Sequence, residues 1–275
     1  MKRLLAAAAA AAALVSASPA QAAPTPTPTA SPVAAQAKPV AAPDPVKALK
    51  SQFVAGRGVK VSDNLRTGIK GKKFSSSQLN SVFEFGASGI VAADVTQQIR
   101  TGEGKKMAST RVIIVGKAAY IQSNMLTTQD LPEGKKWVRL DQPGKLYASN
   151  HPVDVFQPAG LKSLITKAKS VKNGVYQGTI TRKQSKKTPS TSAFDYRLSL
   201  DSAGLPSGFR TDQEIKLGKR DLLQRTADSR YSAWGFKVTI KAPAEEQVID
   251  IKDLGPALQE EIQELPNEAL ASLRH

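Results

Sequence analysis

The sequence predicts an α+β protein, a strongly curved antiparallel β half-barrel with helices packed in its concave face. Two patterns carry that prediction. Several segments alternate apolar and polar residues with period two, which buries one face of a sheet and leaves the other in solvent. The chain offers only a few short stretches with helical spacing, so a meander this long must curl to cover its own apolar face.

Residues 1–22 read as a secretory signal, with a basic Met1-Lys2-Arg3, an apolar run from Leu4 to Val15 and the small-residue site Ala20-Gln21-Ala22. Residues 23–45 hold seven prolines, two charges and no aromatic residue. Such a stretch cannot bury enough apolar surface to order itself, so a disordered, polyproline-like linker is expected, reaching roughly 50 Å or more when extended. The folded domain is assigned to residues 46–254 and an acidic helix or tail to residues 255–275. Val46 to Val54 sets Val46, Leu49, Phe53 and Val54 on one helical face, ended by Gly56 and Gly58.

A basic passage from Gly68 to Lys73 precedes the first alternation, in which Phe83 and Phe85 share a face. Val91, Ala93, Val95 and Ile99 then oppose Asp94, Thr96 and Gln98. Arg111 to Gln122 is apolar on both sides, as a central strand would be, and Lys136 to Asp141 is a short strand after Pro132-Glu133-Gly134. Pro158 to Val171 interrupts the strands with a helical stripe of Leu161, Leu164, Ile165 and Ala168. Phe194, Tyr196, Leu198 and Leu200 next alternate with Asp195, Arg197, Ser199 and Asp201, and Phe209 to Leu217 pairs back as their hairpin partner. Phe236, Val238 and Ile240 form the last alternation. Leu258, Ile262, Leu265 and Leu270, interrupted by Pro266, mark the C-terminal segment as a helix that packs on the body or as an exposed tail.

Composition excludes several chemistries. There is no cysteine, so no disulfide, thiolate metal site or thiol nucleophile exists. Only His151 and His275 are available, which rules out a histidine-rich metal centre. No cofactor is called for, and neither a metal set nor a catalytic residue is assigned. The net charge is +16, and residues 46–251 carry +17 of it against −3 in residues 252–275. The clusters lie at Lys70-Gly71-Lys72-Lys73, Lys105-Lys106, Lys135-Lys136, Arg182-Lys183 with Lys186-Lys187, and Lys219-Arg220. They make a solvated basic rim, or one drawn to an anionic membrane or cell-wall surface. Nucleic acid is disfavoured, since no aromatic residues interleave with these clusters.

Three stretches taken in order carry a resemblance. They are Lys136-Trp137-Val138-Arg139-Leu140-Asp141; Arg197-Leu198-Ser199-Leu200-Asp201-Ser202-Ala203-Gly204-Leu205-Pro206; and Tyr231-Ser232-Ala233-Trp234-Gly235-Phe236-Lys237-Val238-Thr239-Ile240-Lys241-Ala242-Pro243 followed by Val248-Ile249-Asp250. Over residues 46–254 the chain resembles the LppX/LprG lipoproteins of actinobacteria, which share the LolA-like fold. The resemblance implies a half-barrel wrapped over helices, with an apolar cavity between the layers that carries acyl chains or glycolipids. Those lipoproteins carry a lipidated cysteine after the signal, and this chain has none. The alternatives are a soluble shuttle, a wall-associated protein held by charge, or a domain that keeps the fold without the cargo.

The cavity-wall candidates are Phe83, Phe85, Val91, Val95, Leu161, Leu164, Ile165, Phe194, Tyr196, Leu198, Phe236, Val238 and Ile240. For any single one plain core packing is the commoner fate, and the cavity reading rests on the set. Trp137 and Trp234 could clamp a ligand or pack at an edge, and His151 reads as a loop residue. The expectation is a secreted, monomeric, non-enzymatic carrier for a lipid or glycolipid. The rivals are an extracytoplasmic structural or regulatory domain that binds a partner protein or an anionic wall polymer, and an envelope hydrolase.

Overall fold

Asp44 accepts hydrogen bonds from the backbone N–H groups of Val46 and Lys47, and Pro45 supplies a fixed φ at the first helical position, so a short helix α1 forms at Pro45–Ser51. The computed structural model describes residues 43–69, 72–126, 131–141, 150–183, 191–217, 221–260 and 262. The expected signal and most of the linker lie outside them, as do Leu265, Pro266 and Leu270. Among the described residues no helix is long and apolar enough to cross a membrane.

After α1 the chain runs through β1 (Arg57–Ile69), β2 (Lys72–Gly86), β3 (Gly89–Thr101), β4 (Lys106–Val115), β5 (Ala118–Ser123) and β6 (Trp137–Asp141). Helix α2 (Pro158–Thr166) follows, then β7 (Ser170–Lys172), β8 (Val175–Lys183), β9 (Thr191–Leu200), β10 (Pro206–Leu217), β11 (Asp221–Lys237) and β12 (Val248–Asp250). All twelve strands join one open, curled sheet in the order β12-β6-β5-β4-β3-β2-β1-β11-β10-β9-β8-β7. Every pairing is antiparallel except β12 on β6. Two meanders, β1 to β6 and β7 to β11, therefore meet at the β1–β11 seam.

One face of this sheet carries two buried apolar clusters. The larger joins Val59, Val61, Phe83, Phe85, Phe194, Leu198 and Phe209 of the strands to Leu49 of α1 and to Leu161 and Leu164 of α2. The smaller joins Ile121, Val138 and Leu140 to Ile249, Ile251 and Leu254, with Leu258 and Ile262 of the C-terminal segment packed on it. We call this the covered face and its opposite the outer face.

Several expected elements shift. The single strand over 111–122 is a hairpin instead, because Gly116 takes φ +61° and turns the chain between β4 and β5. The first helix stops at Ser51. The last alternation is not a strand of its own: β11 begins at Asp221 and ends at Lys237. Strands β1 and β8 and most of β11 have no counterpart in the sequence reading.

Close backbone approach fixes α2. A Cβ on Gly160 would overlap the Asp154 carbonyl, whereas one on Gly208 would meet nothing nearer than 3.7 Å. Gly160→Ala is therefore expected to lower the unfolding free energy by roughly 1–3 kcal/mol, and Gly208→Ala to leave it nearly unchanged. Urea denaturation of both variants checks this. Equal midpoints would mean that α2 is not held at Gly160.

Candidate functional site on the covered face

The covered face is built in rows by the strand register. In the upper rows Val59 stands beside Phe83 and Phe83 beside Ala93, and Val61 lies between Ser81 and Tyr231. Aromatic rings fill the space above them. Phe85, fully buried, stacks on Trp234 at 6.0 Å and meets Phe53 at 5.5 Å and Phe156 at 6.2 Å. Phe156 also meets Phe83 edge-on at 5.4 Å and Tyr231 at 5.7 Å. Trp234 reaches this cluster through an irregularity in β11. Ala233 and Gly235 take φ of +54° and +76°, the β1 register skips from Ser232 to Phe236, and the indole N–H donates to the Pro206 carbonyl at 2.9 Å.

Below the aromatic rows the same face turns polar. The Gln97 amide donates to Ser77 Oγ at 2.9 Å, and Thr110 and Ser123 hydroxyls share a bond of 3.1 Å, all four residues being buried. Asp63 and Ser229 stand opposite each other across the β1–β11 seam, and Thr211 lies on β10 beside Ala227. A segment from Asn150 to Gln157, leading into α2, crosses this belt. Asn150 Nδ2 donates to Asp63 Oδ2 at 3.0 Å. The His151 ring bridges Ser229 Oγ at 2.7 Å through Nε2 and Thr211 Oγ1 at 2.9 Å through Nδ1, packed 4.3 Å from the Phe209 ring. Val153, Val155 and Phe156 then enter the apolar cluster. At its far end the cover is tied by Tyr196, whose hydroxyl donates to the Leu164 carbonyl at 2.6 Å. A Cβ on Gly178 would crowd both that hydroxyl and the Lys167 carbonyl.

Burial sets the electrostatics. It raises Asp63 to about 6, although bonds from Asn150 and Ser229 and the charge of Arg225 pull the other way. It lowers His151 to about 3, with Arg225 adding to the effect. The Tyr231 phenol is pushed up by burial and by Asp63. Among the described residues Asp63 Oδ1 and Asn150 Oδ1 are buried acceptors that find no donor, and protonation turns the Asp63 carboxyl into a donor itself. The Ser229–His151 contact does not form a nucleophile and base. The other ring nitrogen faces a threonine hydroxyl rather than a carboxylate, and an imidazole held near 3 is a weak base. Among the described residues no three His, Asp or Glu side chains are placed to hold a metal ion.

Of the cavity-wall candidates, Phe83, Phe85, Leu161, Leu164, Phe194, Tyr196 and Leu198 are buried in the one cluster, with Val95 and Ile165 packed against it. Val91 is not there. It is the extra residue in a bulge where Phe85 pairs with Ile90 and Glu84 with Ala92, and it is 39% exposed. Phe236 lies on the outer face beneath the Lys60 ammonium, 5.4 Å from its ring centre, because the skip at 233–235 adds two residues and leaves Phe236 on the side of Ser232, opposite to Tyr231. Val238 and Ile240 are half-buried beyond the end of β11. Trp137 opens β6 with the Arg111 guanidinium over its ring, far from Trp234 in the sheet order. The sequence reading missed Asp63, Asn150, Thr211, Ser229 and the role of His151. One signal was present: Val59, Val61, Asp63 and Leu65 place a carboxylate in the middle of an apolar period-two run.

The outer face carries a shallow polar groove of about 300 Å³ lined by Ser62, Asn64, Arg66, Arg210, Thr226, Asp228 and Arg230. Arg210 is committed to Asp212 through two bonds of 2.9 and 3.0 Å.

No family model matches the chain, and no curated protein does. Among solved structures it is similar to LprF from Mycobacterium bovis, of the LppX/LprG group, at 13% identity and a TM-score of 0.38 over 74% of this chain and 99% of that one. It is also similar to a LolA superfamily protein from Nitrosomonas europaea, at 8% identity and a TM-score of 0.26 over 71% of this chain and 93% of that one. A third similarity is to MucB, solved in complex with the periplasmic part of MucA, at 10% identity and a TM-score of 0.12 over 73% and 99% of the two chains.

The two buried titrating groups predict opposite pH effects. Keeping His151 neutral contributes stability above its ordinary value of 6.5, and that contribution is lost as pH falls from 6.5 towards 3. Keeping Asp63 protonated contributes stability below its ordinary value of 3.8, and that contribution is lost as pH rises from 3.8 through about 6. Asp63→Asn removes only the second. The variant is expected to be more stable than the wild type above about pH 6 and to lose stability more steeply on acidification to about pH 4. Denaturation midpoints measured against pH decide it; curves parallel to the wild type would refute the assignment to Asp63.

Proposed function

We propose that the protein is a secreted, non-enzymatic carrier that holds an apolar or acylated ligand, a lipid or glycolipid, between the sheet and the segment formed by residues 150–157 and α2. In this reading the covered face is the concave side of the curl. The observation that supports it most is the economy of the cover. Val153, Val155, Phe156, Leu161 and Leu164 meet apolar strand rows from both meanders through one short stretch of chain. An acyl chain replacing those side chains gains about 0.8 kcal/mol per buried methylene, so a long chain offsets the contacts it displaces. The polar belt beside the apolar rows suits an amphiphile, whose headgroup meets Asp63, Ser229 and Thr211 once Asn150 and His151 move aside. A carrier asks nothing of a nucleophile or a metal.

A second reading has one observation in its favour. The rings around Phe85 already touch one another at 5.5 to 6.2 Å, as a filled core does, which suits a domain that binds a partner protein or wall polymer on its outside.

Native purification, extraction with organic solvent and mass spectrometry separate the two. The carrier reading expects co-purified lipid, saturable uptake of a fluorescent fatty acid, and a change in Trp234 emission on uptake that Trp234→Phe abolishes. An empty extract with no uptake would leave the partner-binding reading.

A further inference from the structure

Five segments join strand ends at one end of the sheet, because β1, β3, β5, β8 and β10 all run towards it and β2, β4, β6, β9 and β11 all start from it. Each basic cluster of the sequence falls on one of these segments or on the strand ends beside it. Exposed Lys72 opens β2, Lys105 precedes β4 and Lys106 opens it, and Lys136 precedes β6. The sequence adds Lys70 between β1 and β2, Lys186 and Lys187 between β8 and β9, and Lys219 and Arg220 between β10 and β11, against Glu103, Asp130, Glu133 and Asp221. The hairpin turns at the opposite end, Ala87-Ser88, Gly116-Lys117, Asn173-Gly174 and Asp201 to Leu205, hold one lysine and one aspartate.

Apolar side chains stand out from the same basic end. Phe74 is 66% exposed, Met107 60% and Met125 43%. Their exposure has a backbone cause. Phe74 is the extra residue where β1 shifts from Thr67↔Ser75 to Gly68↔Lys73, and Met107 is the extra residue where β3 shifts from Ile99↔Ala108 to Arg100↔Lys106. A bulge re-aims the side chain that the regular alternation would send to a sheet face. Met125 follows β5, where Asn124 and Ser109 exchange hydrogen bonds of 2.6 and 3.0 Å. The three thus stand on β2, β4 and the end of β5, within about 15 Å at the usual strand spacing. Val54, Val91 and Val171 are also exposed elsewhere, but they are smaller; Val91 lies beside the uncharged turn between β2 and β3, and Val171 on β7 beside the Asn173-Gly174 turn.

We propose that this end of the sheet is a docking surface for an anionic lipid bilayer, with Phe74, Met107 and Met125 entering the interfacial layer and Lys72, Lys105 and Lys106 engaging the headgroups around them. Large apolar side chains ringed by cations suit a bilayer surface better than a soluble polyanion, which offers nothing for the phenyl and thioether groups to enter. Docking needs no bound cargo, so it succeeds or fails independently of the carrier reading.

Vesicle co-sedimentation of the whole protein tests it. Vesicles of phosphatidylcholine with one third phosphatidylglycerol are expected to bind it, pure phosphatidylcholine vesicles far less, and added salt should weaken binding steeply. Reversing Lys72, Lys105 and Lys106 to Glu should weaken binding by roughly a hundredfold. The charge-matched reversal of Lys50, Lys117 and Lys172 should change it only slightly. Phe74→Ser with Met107→Ser should cost on the order of tenfold or more at unchanged net charge. No binding to the anionic vesicles, equal loss from both lysine triples, or binding of inorganic polyphosphate as tight as vesicle binding and insensitive to Phe74→Ser would overturn the proposal.

Discussion

Polar groups on an otherwise apolar sheet face must find partners or stay unfolded in water, and that obligation organises this molecule. Asp63, Thr211 and Ser229 sit among apolar neighbours on the covered face, where an unsatisfied hydroxyl or carboxyl costs on the order of 1–3 kcal/mol. Asn150 and His151 meet that need from a segment with little area of its own. The cover is therefore placed by hydrogen bonds at one end and by the Tyr196–Leu164 bond at the other, with Phe156 between them. Apolar burial alone would let the segment slide; two polar anchors fix where Val153 and Val155 meet the sheet.

The same belt explains what the residues did and did not announce. The hairpin of β9 and β10 was legible because Phe194, Tyr196 and Leu198 face one uniformly apolar cluster. Strand β1 was hidden by Asp63 and β11 by Arg225 and Ser229, residues that stand on the covered face but read as solvent-facing. Strand β8 was hidden by Gly178, which the nearness of Tyr196 and Lys167 demands. The roles of Asn150 and His151 could not be read at all, since they depend on partners 60 to 87 residues away.

Bulges account for the displaced Val91 and Trp234. Period-two reasoning assumes that alternation continues, and each extra residue reverses it from there on. The extra residue at Val91 took one candidate out of the core, and the skip over Ala233, Trp234 and Gly235, two residues longer than its partner, keeps Phe236 on the side of Ser232 while bringing Trp234 onto Phe85. These irregularities are also where a large open sheet gains its extra twist. Local chemistry marks them only partly: Gly235 signals one, while Val91 looks like any strand valine.

The β1–β11 seam has a consequence for how the chain folds. Each meander needs only contacts between neighbours in sequence, and such hairpins form quickly. Joining them brings residue 69 to residue 223 and residue 57 to residue 237, a closure of high contact order that sets the pace. Until it happens, β1 and β11, the first thirteen residues long and the second seventeen, are open edges ready to pair with any other strand. The first half of the chain emerges with its longest-lived vulnerability already made, and the last long strand of the sheet is its remedy.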